Sequence, residues 1–277
     1  MHPAHSIFRI IAFVLTIFAI APAQAVERFI TLSSTTSTQD SGLFGHVLPT
    51  FTAATGITVH VVAVGTGQAL AIGARGDADA LLVHDRAGED KFVADGFGVD
   101  RRDVMYNDFV IVGPNSDPAH IRGLKNAREA LQAIAQATAP FASRGDDSGT
   151  NRMELRLWKS AGIQLEPRSG WYRDLGQGMG ATLNIAAAMN AYTLTDRASW
   201  ANFKNRQGLA VLTEGDPALF NPYGSILVNP AKWPHVKYQD AKIWQEWLTS
   251  KAGVDAITSY RINGEQLFFP PRNATIN

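Results

Sequence analysis

Cysteine is missing from all 277 residues. Disulfides, zinc–thiolate centres and thiol catalysis are excluded together. A charge excess is missing too, because 25 Lys and Arg balance 25 Asp and Glu. Neither nucleic acid nor an anionic membrane surface is implied as a partner, so any charge preference must be local. Hydrolase signatures are lacking as well: there is no G-x-S-x-G elbow, no H-E-x-x-H helix and no Gly-Lys-Ser/Thr phosphate loop. Repeats and low-complexity linkers are absent, and beyond the first 25 residues no apolar run is long enough to span a bilayer.

The N-terminus carries the one long apolar run, IIAFVLTIFAI, preceded by Arg9 and followed by APAQA. A short apolar segment ending in Ala23-Gln24-Ala25 reads as an export signal. Residues 1–25 are therefore expected to be a signal peptide cleaved after Ala25. The mature chain is expected to be periplasmic, with no stable membrane insertion.

From residue 26 onward, strand-like and helix-like segments alternate. RFITLSST (28–35), ITVHVVAV (57–64), ADALLVH (78–84), DFVIVGPN (108–115) and GSILVNP (224–230) read as strands, with further ones near 140–143 and 208–213. Helical spacing marks 41–55, 67–75, 124–137, 149–161, 180–191 and the tail 239–260. Such alternation predicts an α/β fold with parallel strands. Two strands that each stop at a Pro turn suggest two lobes joined by a double crossing. The expected division is 26–112 and 224–277 for lobe 1, and 113–223 for lobe 2. Trp158, Trp244 and Trp247 fall at core positions of their helices.

Four segments share one design, a strand or loop followed by Ser, Thr or Gly and then a helix. They are SSTTSTQDSG (33–42), VGTGQAL (64–70), SRGDDSGT (143–150) and GQGMGATL (176–183). A helix N-terminus offers unpaired N–H groups and a partial positive charge, and so suits an anion. Each turn alone is also a plain helix cap. Thr66 can serve as one, and in the fourth turn only Gly180 and Thr182 suggest an anion. Arg144 is the only cation in the four, and its planar fork suits an oxyanion. Asp146 and Asp147 lack the spacing of a calcium loop, and adjacent side chains diverge too much for a catalytic pair. They fit a role in tethering Arg144 or capping the following helix. The histidines of the expected mature chain, His46, His60, His84, His120 and His235, are scattered and read as surface or core residues. HDRAGED (84–90) reads as a solvated helix start.

STTSTQDSGL, VGTGQAL, GDADALLVH, YNDFVIVGP, SRGDDSGTNRMELRLW, GQGMGATL and AYTLTDRASW, in this order, resemble the tungstate-binding receptors of ABC importers, the TupA type. The resemblance spans roughly residues 30–230. It implies a type II periplasmic binding protein fold with an oxyanion between two α/β lobes. It also implies an ABC permease and its ATPase as partners, no cofactor, no bound metal cation and no catalytic residue. Carried over residue by residue, it implies Thr35, Thr36 and Ser37 from the first turn and Thr66 from the second. From the third it implies Ser143, Arg144, Ser148, Gly149 and Thr150, and from the fourth Thr182. The family often begins its first motif with three threonines; here Ser34 stands first and keeps a hydroxyl.

Tungstate or molybdate, an unprotonated dianion, calls for donors only. A phosphate-type receptor is the nearest alternative, and would use a carboxylate acceptor such as Asp77 or Asp79, although Asp79 at a strand start reads as structural. A sensory ligand-binding module fits the same lobes. A secreted hydrolase with Ser37 or Ser148 as nucleophile lacks a placed histidine.

Overall fold

The computed structural model describes residues 27–165 and 170–271. The expected signal segment lies outside the described residues. Among those described, no helix is long and apolar enough to cross a membrane.

The first half builds a parallel unit. β1 (Arg28–Thr35) runs straight into α1 (Thr36–Asp40), a single turn capped by Thr35. Gly42, at φ +81°, then breaks the chain before α2 (Leu43–Thr55), so the helix expected over 41–55 is two helices. A side chain at Gly42 would be strained there and would meet the Tyr260 hydroxyl. β2 (Ile57–Val64), α3 (Thr66–Ala74), β3 (Ala80–Val83) and α4 (Arg86–Ala94) follow. β1 pairs in parallel with both β2 and β3. β4 (Gly98–Pro114) is far longer than its expected 108–115.

The second half holds α5 (Ala127–Gln136), β5 (Phe141–Ser143), α6 (Gly149–Ser160), β6 (Tyr172–Asp174), α7 (Met179–Met189), β7 (Thr193–Asp196), α8 (Arg197–Asn202) and β8 (Leu209–Thr213). β6, β7 and α8 escaped the sequence reading. They are too short for a period to show, and β7 and α8 carry polar residues that tertiary contacts bury. The chain returns through β9 (Phe220–Val228) to α9 (Tyr238–Thr249), α10 (Lys251–Ser259) and a small hairpin, β10 (Arg261–Ile262) with β11 (Glu265–Gln266).

The main sheet has the order β2-β1-β3-β9-β4-β7, with β8 also on β4. β9 inserts antiparallel between β3 and β4. β4 changes partners along its length. Residues up to Asp108 pair with β9, and from Phe109 onward the strand pairs with β7 and β8. Separate cores form on either side of that switch. One gathers Ile30, Leu32, Phe51, Tyr223 and Trp244. The other gathers Phe109, Phe141, Trp158 and Tyr192. The tail helices pack back onto the first core, with Trp244 edge-on to Phe51 at 4.9 Å. The result is a curled α/β architecture of two lobes.

Candidate functional site

Strand direction sets where the site lies. β1, β2 and β3 all end at one edge, and their carboxyl ends deliver Thr35, Gly65 and His84 there. In the second lobe β5 ends at Ser143 and feeds the Arg144–Ser148 loop into α6. Gly145 and Asp147 take φ of +59° and +55°, folding this loop tightly enough to bring Arg144 back over α1.

Arg144 is only 1 % exposed. Its Nη2 donates to Thr36 Oγ1 at 2.9 Å and to Asp146 Oδ2 at 2.6 Å. Asp146 accepts the Ser148 amide through its other oxygen, so both its oxygens serve the loop. Asp147 pairs with Arg152. The two aspartates therefore hold the loop and its arginine. Nε and Nη1 of Arg144 and Oγ1 of Thr150 are buried and have no hydrogen-bond partner among the described residues. Leaving such donors unmatched costs about 1–3 kcal/mol each, more for a charged group. They call for an acceptor.

Thr35, Ser37 and Thr38 are fully buried and form a hydroxyl cluster. Thr35 Oγ1 lies 3.2 Å from Ser37 Oγ and 2.8 Å from Thr38 Oγ1. Thr66 does not cap α3; Gly65 holds that position, and the Thr66 hydroxyl accepts the Gly149 amide from the other lobe. Ser148 caps α6 through Asn151 N–H at 3.1 Å and keeps its own hydroxyl proton to give. Seven of the expected residues thus converge with Gly149 where α1, α3 and α6 begin. Two side chains turn elsewhere. Ser143 faces inward, accepting Asn151 Nδ2 at 3.2 Å near the Glu154 carboxyl. Thr182 donates to the Gln177 carbonyl of its own turn. The fourth turn nevertheless approaches the site, with Gly178 beside Thr36.

His84, read from the sequence as a surface or core residue, is buried and also borders the site. Of the five described histidines it alone is buried, 3 % exposed, and it sits in the site rather than in a featureless core. Its Nε2 lies 3.0 Å from Ser37 Oγ and 3.2 Å from Thr35 Oγ1, and its Nδ1 lies 3.1 Å from Asn221 Oδ1. Burial, and secondarily the nearby Arg144 charge, push its pKa down to about 4. Ser37, His84 and Asn221 have the connectivity of a nucleophile, a base and an orienting group. A histidine that stays neutral down to such a pH is a weak base, so the arrangement favours hydrogen bonding over proton abstraction. The signal for His84 was available: a polar pair, His84-Asp85, directly at the end of a buried parallel strand.

HDRAGED is corrected. It does start α4, but Asp85 and Glu89 are buried. Asp85 accepts Arg152 Nη1 at 2.8 Å and Arg156 Nη1 at 3.0 Å, both from α6 across the cleft. Glu89 pairs with Arg101. Asp79 receives the Thr31 and Lys237 amides and Asp77 pairs with Arg75, so neither carboxylate is in the cleft.

Two α/β lobes closing on a cleft rich in hydroxyls, helix N-termini and one arginine define a solute receptor of the periplasmic binding class. The family model described as a PBP superfamily domain matches residues 21–252. The tungstate-binding protein TupA of Peptoclostridium acidaminophilum is 47% identical over 245 residues, covering 87% of this chain and 85% of that one. Among solved structures, the tungstate ABC transporter protein of Geobacter sulfurreducens is 51% identical, with a TM-score of 0.78 and coverage of 85% and 100% of the two chains. TupA from Desulfovibrio alaskensis G20 is 43% identical, with a TM-score of 0.74 and coverage of 88% and 99%. The chain belongs to the periplasmic binding protein superfamily and, within it, to the family of the TupA tungstate-binding proteins.

Proposed function

We propose that the protein is an extracytoplasmic receptor that captures tungstate between its lobes and presents it to an ABC importer. The observation that carries this reading is the buried, unmatched Arg144 and Thr150 donor set at the junction of both lobes. Tungstate is a tetrahedral dianion without a proton at neutral pH, so it accepts and never donates. Thr35, Thr36, Ser37, Thr66, Arg144, Ser148, Gly149 and Thr150 are the residues assigned to it, with Ser143 and Thr182 supporting their turns. Charge-assisted hydrogen bonds contribute roughly 1.5–3 kcal/mol each, so six to eight, less desolvation and closure, reach the roughly 12 kcal/mol of nanomolar binding.

The phosphate alternative loses ground because the acceptors it would call on, Asp77 and Asp79, lie outside the cleft. Asp146 is used by its own loop. Family membership speaks for binding rather than turnover. A permease and its ATPase are the expected partners, with cleavage after Ala25 and a periplasmic location. The division at 112/113 and 223/224 remains our assignment of the lobes, supported by the partner switch of β4 near Phe109. Calorimetric titration of the protein from Val26 onward with tungstate, molybdate, sulfate and phosphate tests the reading. Tungstate or molybdate should bind tightest; silence toward both, or a clear preference for phosphate, overturns it.

A further inference from the structure

A line of four buried polar side chains leads from the cleft through both hinge strands. Asp196 closes β7 in the second lobe and is fully buried. Its Oδ1 accepts the Ser199 amide at 2.9 Å and Asn107 Nδ2 at 3.3 Å. Asn107 Oδ1 accepts Asn221 Nδ2 at 2.6 Å. Asn221 Oδ1 faces His84 Nδ1 at 3.1 Å. Asn107 on β4 and Asn221 on β9 are register partners where the two strands cross between the lobes. No hydrophobic-core argument explains two buried asparagines here, since each amide must be fully matched or costs stability.

The polarity of the line follows from its end. Oδ1 of Asp196 already accepts the Ser199 amide and so faces Asn107 as an acceptor, and Asn107 must turn its amide nitrogen toward Asp196 and its oxygen toward Asn221. Asn221 must then give its nitrogen to Asn107 and its oxygen to His84. Nδ1 of His84 must carry the proton, and Nε2 is left bare. In that form Nε2 can only accept, and the groups before it are the hydroxyls of Ser37 and Thr35. One hydroxyl proton is thereby held in a known direction before any ligand arrives.

We propose that the line Asp196–Asn107–Asn221 locks His84 in the Nδ1–H form, so that its bare Nε2 holds one hydroxyl proton of the Ser37–Thr35 pair and sets which proton that pair leaves for an oxyanion. His84 is then a positioning residue for specificity, acting through Ser37 and Thr35. The proposal rests on the oxyanion reading only in its last clause. Its first clause concerns the ligand-free protein.

Two measurements test it. In protein labelled with 15N-histidine, long-range proton–nitrogen correlation spectra at neutral pH report which ring nitrogen bears the proton, and the signal missing from His84→Asn identifies the residue. The expected result is protonated Nδ1 and bare Nε2. A proton on Nε2 overturns the proposal, and this arm needs no ligand. Asn221→Leu should lose the Nδ1–H form; retention of it in the folded variant also overturns the lock. If that variant does not fold, the native spectrum decides. The second measurement is tungstate titration. His84→Asn reaches Asn221 but not the hydroxyls, and should weaken binding about tenfold, the worth of one net hydrogen bond. His84→Gln restores an acceptor near Nε2 and should recover most of that loss. Equal affinity of His84→Asn and the native protein overturns the role in binding. Failure of the native protein to bind tungstate would instead overturn the proposed function and leave the spectrum to judge the lock.

Discussion

The amide of Gly149 donates to Thr66 Oγ1 at 2.6 Å, joining the first turn of α6 to the first turn of α3 across the cleft. A Cβ on Gly149 would lie 2.8 Å from His84 Cε1 and 3.0 Å from Thr66 Oγ1. The glycine is required by the closeness of the lobes, not by its dihedral angles. Gly149→Ala should keep the fold, hinder closure and weaken tungstate binding at least about tenfold. Calorimetry checks this, and undiminished affinity would show that the lobes need not approach so closely.

Arg144 should carry the largest single share of affinity. Arg144→Ala is expected to cost roughly 2–5 kcal/mol of binding, on the order of 30-fold to several-thousand-fold. Arg144→Lys should recover only part, since a point charge cannot reproduce the planar fork. If the pair with Asp146 were the arginine's whole purpose, titration of the folded Ala variant would show native affinity.

Asp85 ties α4 to α6 only when the lobes are together, through Arg152 and Arg156. Asp85→Asn should weaken tungstate by roughly 1–2 kcal/mol, about 5–30-fold, by destabilising the closed form. Arg156, about half-exposed, should matter by less than about 1 kcal/mol when changed to Ala. Small-angle scattering with saturating ligand would detect a shifted closure equilibrium; identical affinities for Asp85→Asn and the native protein would refute the clasp.

Glu154 supplies a pH signature. It lies under the site, accepting Trp158 Nε1 at 3.1 Å and Tyr172 OH at 2.8 Å. Burial pushes its carboxyl up to about 8. The folded state therefore holds a proton that the unfolded state releases near 4.5. Its contribution is fully present below that value and is lost as pH rises toward 8. His84 has the opposite sign, since its folded pKa of about 4 lies below 6.5, but its effect is complete above 6.5. From pH 7 to 8.5, urea unfolding should show stability falling with pH by about 1–2 kcal/mol, with Glu89, raised to about 7, adding at the lower end. Glu154→Gln should flatten most of this slope, and a slope unchanged in that variant would assign it elsewhere.

Much of the site was legible locally. Arg144 stood out as the only cation beside four hydroxyl or glycine turns, and the loop does bring it against Thr36. The three turns built on 33–42, 64–70 and 143–150 meet because each follows the carboxyl end of a strand, β1, β2 and β5, that ends at the cleft. His84 was not legible in that way. One imidazole at a strand end has no periodic signature, and its significance depends on Ser37 and Asn221, which are 47 and 137 residues distant in the chain.

What the sequence by itself determined is therefore what neighbours along the chain control: apolar period for β1, β2 and α9, capping hydroxyls before α1 and α6, and the placing of a single arginine, Arg144, within the four turns. Tertiary structure alone decided the insertion of β9 between β3 and β4, the partner switch of β4 at Phe109, and the meeting of Thr66 with Gly149. The physical reason is range. A cap or a period is settled within a turn or two of backbone. A strand's partner, and the tautomer of a buried histidine, are settled only when distant segments pay the entropy of coming together and every buried polar atom must find its match.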